Sequence, residues 1–131
     1  MAHVISFKTD LFDVSREKPN NINPIAGHSV LLWLRGGLVK AGYRVTEPDT
    51  EDWGWYVDVN GESGSYLVGA SADADATAPM DWVVQVHKYR SLKDKILGRN
   101  KMQADDPLSA LIERLIRAEA RLEEVDVARD A

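Results

Sequence analysis

The spacing of hydrophobic positions changes along the chain, and each change predicts an element. Residues 3–8 alternate in side-chain character, which predicts a first strand. The segment 13–24 is polar and contains two prolines, so we predict a loop there. From Gly27 the apolar residues recur at helical intervals until Gly42 supplies a stop signal. The N-terminal third therefore predicts a strand, a long loop and a helix.

The middle of the chain has the two-residue period of β-strands. Trp53 and Trp55 fall on one face of such a pattern, which continues through two valines. Asn60-Gly61 then suits the left-handed positions of a tight hairpin turn. The predicted strands cover residues 43–45, 53–59, 65–70 and 81–87.

The C-terminal third returns to helical signals. Ser91 and Asp94 form a capping-box pattern that predicts a short helix ending near Leu97. Asp106 followed by proline predicts the start of a longer helix. Apolar residues at three- and four-residue intervals extend that amphipathic prediction to Val125, with fraying expected over 127–131.

Together these elements predict one α+β domain over residues 1–131, in the order β-α-β-β-β-β-α-α. Short connections favour an antiparallel sheet of four to five strands. We expect it to pack against the N-terminal helix and the long C-terminal amphipathic helix. Hydrophobic residues make up 44% of the chain and charged residues 28%, which is an ordinary globular balance.

Charge is distributed unevenly along the chain, whose formal net charge is -5. The stretch 47–62 contains acids and no Lys or Arg, whereas 88–101 is strongly basic. An acidic average argues against a general nucleic-acid-coating role. No apolar stretch predicts a membrane span or a secretory leader, so we expect a cytoplasmic protein without membrane contact.

The most unusual stretch combines acids with aromatic residues at a strand entry. Tryptophan and tyrosine supply the rigid contact area typical of binding hot spots, and acids attract cationic partners. The competing interpretation is that the tryptophans are core and the acids form a solvated loop. The acidic-aromatic candidates are Glu47, Asp49, Glu51, Asp52, Trp53, Trp55 and Tyr56.

Two further sets of residues are weaker binding candidates. His28, Asp58 and His87 are the polar groups of a hypothetical pocket between the sheet and the loop 13–27. The basic candidates for a phosphate or an acidic partner are Lys88, Arg90, Lys93, Lys95, Arg99 and Lys101. The alternative for this basic set is a solvated connector.

Catalytic and metal signatures are missing from the sequence. The chain contains no cysteine, which excludes thiol catalysis, disulfides and thiolate zinc sites. The acids near Asp49 lack the ligand order of a calcium loop, and no histidine spacing indicates zinc. We therefore nominate no catalytic residue, no metal ligand and no cofactor.

The leading hypothesis is a protein-interaction module, an adaptor or an inhibitor, that binds a protein with a basic surface through the acidic-aromatic region. The first alternative is a small-molecule-binding domain or enzyme that uses the hypothetical pocket. The second is phosphate or nucleic-acid contact through the basic segment. The C-terminal helix is expected to pack on its own domain, with homodimerisation through it as the second interpretation.

Overall fold

The computed structural model describes residues 2–22, 25–73 and 79–129, which form an α+β fold with an antiparallel sheet. Within these ranges there are eight strands and three α-helices. In chain order they are β1 (Ala2–Thr9), β2 (Ile25–Ala26), α1 (His28–Lys40), β3 (Arg44–Val45), β4 (Asp49–Glu51), β5 (Gly54–Gly61), β6 (Gly64–Asp73), β7 (Met80–Lys88), α2 (Leu92–Leu97), α3 (Pro107–Ala118) and β8 (Glu123–Ala128).

The sheet has the strand order β3-β5-β6-β7-β1-β8. Two short strands lie off this path, because β4 pairs with β5 and β2 pairs with the end of β6. The predicted antiparallel sheet is confirmed, but the described residues form more strands than the four to five predicted. Strands β2 and β4 are two and three residues long, too short for a hydrophobic period to reveal them.

Helices α1 and α3 pack on one face of the sheet and close a single core. The spacing that predicted α1 also places Val30, Leu31, Leu34 and Leu38 in that core. The inward sheet residues include two tryptophans and a tyrosine that are almost fully buried: Trp55, Tyr66 and Trp82. Burial of such large side chains supplies much of the hydrophobic free energy of a domain this size.

The ends of the helices follow the capping signals in the sequence. Ser91 and Asp94 form the reciprocal hydrogen bonds of the predicted capping box, and Gly98 ends α2 in the left-handed conformation. Asp106 caps α3 by accepting hydrogen bonds from the backbone N–H groups of Leu108 and Ser109. These predictions are confirmed because caps depend on local sequence alone.

The C-terminal helix is shorter than predicted. It ends at Ala118, and the chain turns back to form β8 along β1. Glu124 has a φ of 53° at the point where the register between β1 and β8 shifts, which marks a β-bulge. Val125 and Val127 lie two residues apart, which fits a strand period, but this pair is too short for spacing to decide between helix and strand. The tail expected to fray over 127–131 begins inside β8, and residues 130 and 131 lie outside the described ranges.

The hairpin between β5 and β6 turns later than predicted. Asn60 and Gly61 belong to β5, and the last paired residues are Gly61 and Gly64, with Glu62 and Ser63 between them. The ring of Tyr43 occupies the space that a Cβ at position 61 would fill. Glycine at this position therefore serves close packing rather than the turn.

The polar segment 13–24 contains a short 3₁₀ turn and a contact that orders the start of α1. The Glu17 carboxylate accepts hydrogen bonds from the backbone N–H groups of Gly27 and His28 and from the Ser29 hydroxyl, at 2.5–2.6 Å. An acid at a helix N-terminus is stabilising because it pairs with unsatisfied N–H groups and the helix dipole. Residues 23 and 24 of the predicted loop lie outside the described ranges.

None of the helices formed by the described residues is long and apolar enough to cross a lipid bilayer.

Candidate functional site

The two faces of the sheet differ in what covers them. The face toward α1 and α3 is buried, whereas the opposite face, which we call the open face, carries half-buried side chains. Cross-strand pairing places Tyr56, Gly69 and Gln85 in one row of the open face. The next row contains Asp58, Leu67 and His87. The open face thus combines aromatic, acidic and amide groups on rigid strands.

Trp53 projects onto the open face, while Trp55 points into the core, so the prediction that they share one face is wrong. Asp52 and Trp53 form the turn between β4 and β5, and the strand alternation starts only after them. The Trp53 indole lies over Gly69, where a Cβ would overlap the ring. Glycine in the centre of β6 therefore leaves the space into which the Trp53 ring packs.

A groove of about 580 Å³ lies on the open face, and we call it the aromatic groove. Trp53 and Tyr89 line it together with Leu67, Gln85 and His87. The His87 Nε2 atom lies 3.1 Å from the Gln85 Oε1 atom, and burial lowers the pKa of His87 below its ordinary value. The groove therefore offers two aromatic rings, an apolar floor and a neutral polar pair.

Carboxylates gather at the β4–β5 side of this groove. Burial and the charges of Asp49, Asp58 and Glu51 raise the pKa of Tyr56. The Tyr89 hydroxyl donates a 3.0 Å hydrogen bond to Asp58, and burial of the hydroxyl together with this bond raises the pKa of Tyr89 to about 12. Both tyrosines therefore stay protonated at neutral pH, and the three acids form a negative rim beside the rings.

Three acidic-aromatic candidates are not part of this rim. Glu47 is exposed and pairs with Arg35 at 3.4 Å. Trp55 is 1% exposed and donates its indole N–H to the carbonyl of Ile25. Asp52 is exposed in the turn before Trp53. Each of the two competing interpretations of this stretch therefore fits a different part of it.

The three predicted pocket residues do not converge. His28 stands at the start of α1 with its ring edge-on to Trp55 at 4.8 Å, on the helix side of the sheet. Asp58 and His87 share a row of the open face, where His87 lines the aromatic groove. A separate cavity of about 270 Å³ lies beside the loop 13–27, but none of these three residues lines it.

The basic segment is divided between a pocket and a helix. Lys88, Arg90 and Lys101 line a cavity of about 260 Å³ between the end of β7 and the loop before α3. Lys93 and Lys95 are exposed on α2. Arg99, the sixth basic candidate, forms an ion pair with Asp94 at 4.0 Å.

Sequence reasoning missed a buried polar cluster at the start of α3. His3 is fully buried, with its Nδ1 atom 2.5 Å from the Ser109 hydroxyl, and burial lowers its pKa. Nearby, the Tyr66 hydroxyl donates a 2.8 Å hydrogen bond to Asp106. The alternation of residues 3–8 placed His3 on the inward face, which is the signal that could have found it. Because the cluster is sealed from solvent, we assign it a structural role.

Among residues 2–22, 25–73 and 79–129, no group of three or more His, Asp or Glu side chains is arranged to hold a metal ion. A scan of protein-family models and searches of curated proteins and of solved structures found no match to this chain.

Proposed function

We propose that this protein is a protein-interaction module whose open sheet face binds a Lys- or Arg-bearing segment of another protein. The observation that carries the proposal is the set of three carboxylates, Asp49, Glu51 and Asp58, around Tyr56 and beside the aromatic groove. A cation above an aromatic ring is attracted by the ring face, and nearby carboxylates add charge complementarity. An adaptor or inhibitor of a partner with a basic surface uses such a site.

The geometry supports a peptide-sized contact. The aromatic groove is about 580 Å³, and a second groove of about 510 Å³ lies on the other side of Trp53, toward Ser71 and Val83. Trp53 stands between the two grooves, the central position that hot-spot residues occupy in protein interfaces. An extended segment that crosses Trp53 would place side chains in both grooves.

The binding test uses a short arginine-rich peptide and its glutamate-rich counterpart, titrated at low salt and followed by amide NMR shifts. We expect the arginine-rich peptide to shift the signals of Trp53, Tyr56 and Leu67, and the glutamate-rich peptide to leave them unchanged. Trp53→Ala should weaken binding by about 2 kcal/mol, or roughly thirtyfold, as expected for a hot-spot residue.

Charge neutralisation provides the matched control. Asp49→Asn combined with Glu51→Gln removes two negative charges from the rim, and Glu62→Gln combined with Asp105→Asn removes two exposed charges elsewhere. We expect the rim pair alone to weaken binding beyond the general effect of net charge. Equal losses in the two double variants would contradict the proposed site.

A second candidate function is small-molecule binding in the aromatic groove, favoured by the His87–Gln85 pair on its floor. The chemical-shift footprint separates the two functions. A small ligand would perturb Leu67, Gln85 and His87 without reaching the rim or the second groove. A footprint that includes Asp49 and Val83 would favour the peptide.

A further inference from the structure

The cavity at the end of β7 is separate from the open face and has a different chemistry. Its lining contains Lys88, Arg90, Lys101, Met102 and Gln103, and it measures about 260 Å³. Met102 is 6% exposed and belongs to the hydrophobic core, so its side chain gives the cavity an apolar base. This volume is just below the range of drug-sized sites and suits a small ligand.

Arg90 is held in place by groups that leave its charge intact. Its Nε atom donates to the carbonyl of Arg99 at 3.1 Å, and its Nη2 atom donates to the carbonyl of Asp94 at 3.3 Å. A guanidinium has five N–H donors, so these two bonds leave three donors for a ligand. Carbonyl oxygens orient the guanidinium without neutralising it, which reduces the entropy lost when an anion binds.

The two lysines of the cavity lining are likewise outside the ion pairs that the described residues form. Among the described residues, neither lysine of the lining nor Arg90 forms an ion pair with a carboxylate. The carboxylate of Asp94 instead accepts from the Ser91 backbone in the capping box and pairs with Arg99. The Lys88 Nζ atom lies 5.8 Å from the centre of the Tyr66 ring. Three positively charged side chains therefore line one cavity in a protein whose formal charge is -5.

We infer that this cavity, the oxyanion pocket, binds a small ligand bearing a phosphate or sulfate group. Arg90 would supply the paired N–H groups that match two oxygens of such an anion, and Lys88 and Lys101 would supply flanking charge. Gln103 adds a further polar group to the lining of the oxyanion pocket. The pocket has a fixed guanidinium and an apolar base, which a solvated connector does not require. These two features distinguish it from the exposed lysines of α2.

Pyrophosphate and inorganic phosphate are the probes, titrated into the 131-residue chain at low salt and followed by amide NMR and calorimetry. We expect shifts centred on Arg90, Met102 and Gln103. Arg90→Gln and Lys101→Gln should each weaken pyrophosphate binding by about tenfold or more, as expected for loss of a charge-assisted hydrogen bond. The matched control is Lys93→Gln, which removes an exposed charge outside the pocket and should leave the affinity unchanged.

Each other outcome would overturn the inference. Amide signals of the pocket that do not shift would show that the pocket does not bind the anion. Equal losses of pyrophosphate affinity in Lys93→Gln and Lys101→Gln would show that binding depends only on the overall charge. A single-stranded oligonucleotide that binds in the absence of any pyrophosphate binding would assign the segment to nucleic acid instead. Lys101 is exposed, so its variant tests the pocket even where Arg90→Gln perturbs folding.

Discussion

Replacing Asp106 with alanine should destabilise the fold by about 2.5–4 kcal/mol. Asp106 is 2% exposed and joins α3 to the sheet. Its Oδ1 atom accepts from the N–H groups of Leu108 and Ser109, and its Oδ2 atom accepts from the Tyr66 hydroxyl. One carboxylate therefore caps a helix and anchors a buried tyrosine.

The magnitude follows from adding these two roles. Loss of an N-cap costs about 1 kcal/mol, and loss of a hydrogen bond to a charged group costs about 1.5–3 kcal/mol. The Tyr66 hydroxyl also lies 2.9 Å from the hydroxyl of Ser63, so it keeps a partner in the variant. That remaining bond avoids the larger penalty of a buried hydroxyl without any hydrogen bond.

Urea denaturation of Asp106→Ala, Tyr66→Phe and the double variant would separate the two roles. We expect a coupling energy of about 1–2 kcal/mol between the two positions, because they share a hydrogen bond. Asp106→Ser should recover the cap alone, a gain of about 1 kcal/mol over alanine. Free energies of unfolding that agree within about 0.5 kcal/mol for Asp106→Ala and wild type would refute the reasoning. Strict additivity in the double variant would refute the shared hydrogen bond.

Three further predictions use single substitutions. Gly36→Ala should raise the free energy of unfolding by up to about 1 kcal/mol, since a Cβ at position 36 meets no atom. Gly37→Ala should raise it by less, because a Cβ at position 37 meets the Leu115 side chain. Melting temperatures from calorimetry compare the two variants. Burial lowers the folded-state pKa of His3 below 6.5, so the free energy of unfolding should decrease as the pH drops below that value. In urea titrations at several pH values, His3→Gln should show a smaller decrease. Gly69→Ala should cost about 1–3 kcal/mol and displace the indole resting on it, which the indole N–H signals in NMR would report.

Local signals in the sequence predicted most of the central fold. The caps at Ser91 and Asp106 and the alternation in β1, β5 and β7 depend on neighbouring residues, and they are confirmed. Strand β8 was missed because its partner is β1, at the other end of the chain, and no local pattern contains that pairing. Tertiary contacts decide between helix and strand for such short segments.

The candidate sites were less predictable, since they depend on which side chains share a face. The sequence predicted Asp49, Glu51 and Trp53 as binding candidates, but it could not show that the turn at Asp52 places Trp53 on the open face. Tyr89, exposed by 50% in the connector after β7, carried no signal of its own. Its place in the aromatic groove appears only when β5, β6 and β7 are side by side.

The position of β1 between β7 and β8 has a consequence for how the chain reaches its fold. Val4 pairs with both Gln85 and Ala128, so the first strand needs segments from the last half of the chain on each side. Contacts of such high sequence separation slow folding, because the intervening loops lose entropy before the pairing stabilises them. During synthesis, the apolar Ile5 and Phe7 emerge long before their neighbours. We expect a slow folding phase and a nascent chain that depends on protection from aggregation until β7 and β8 arrive.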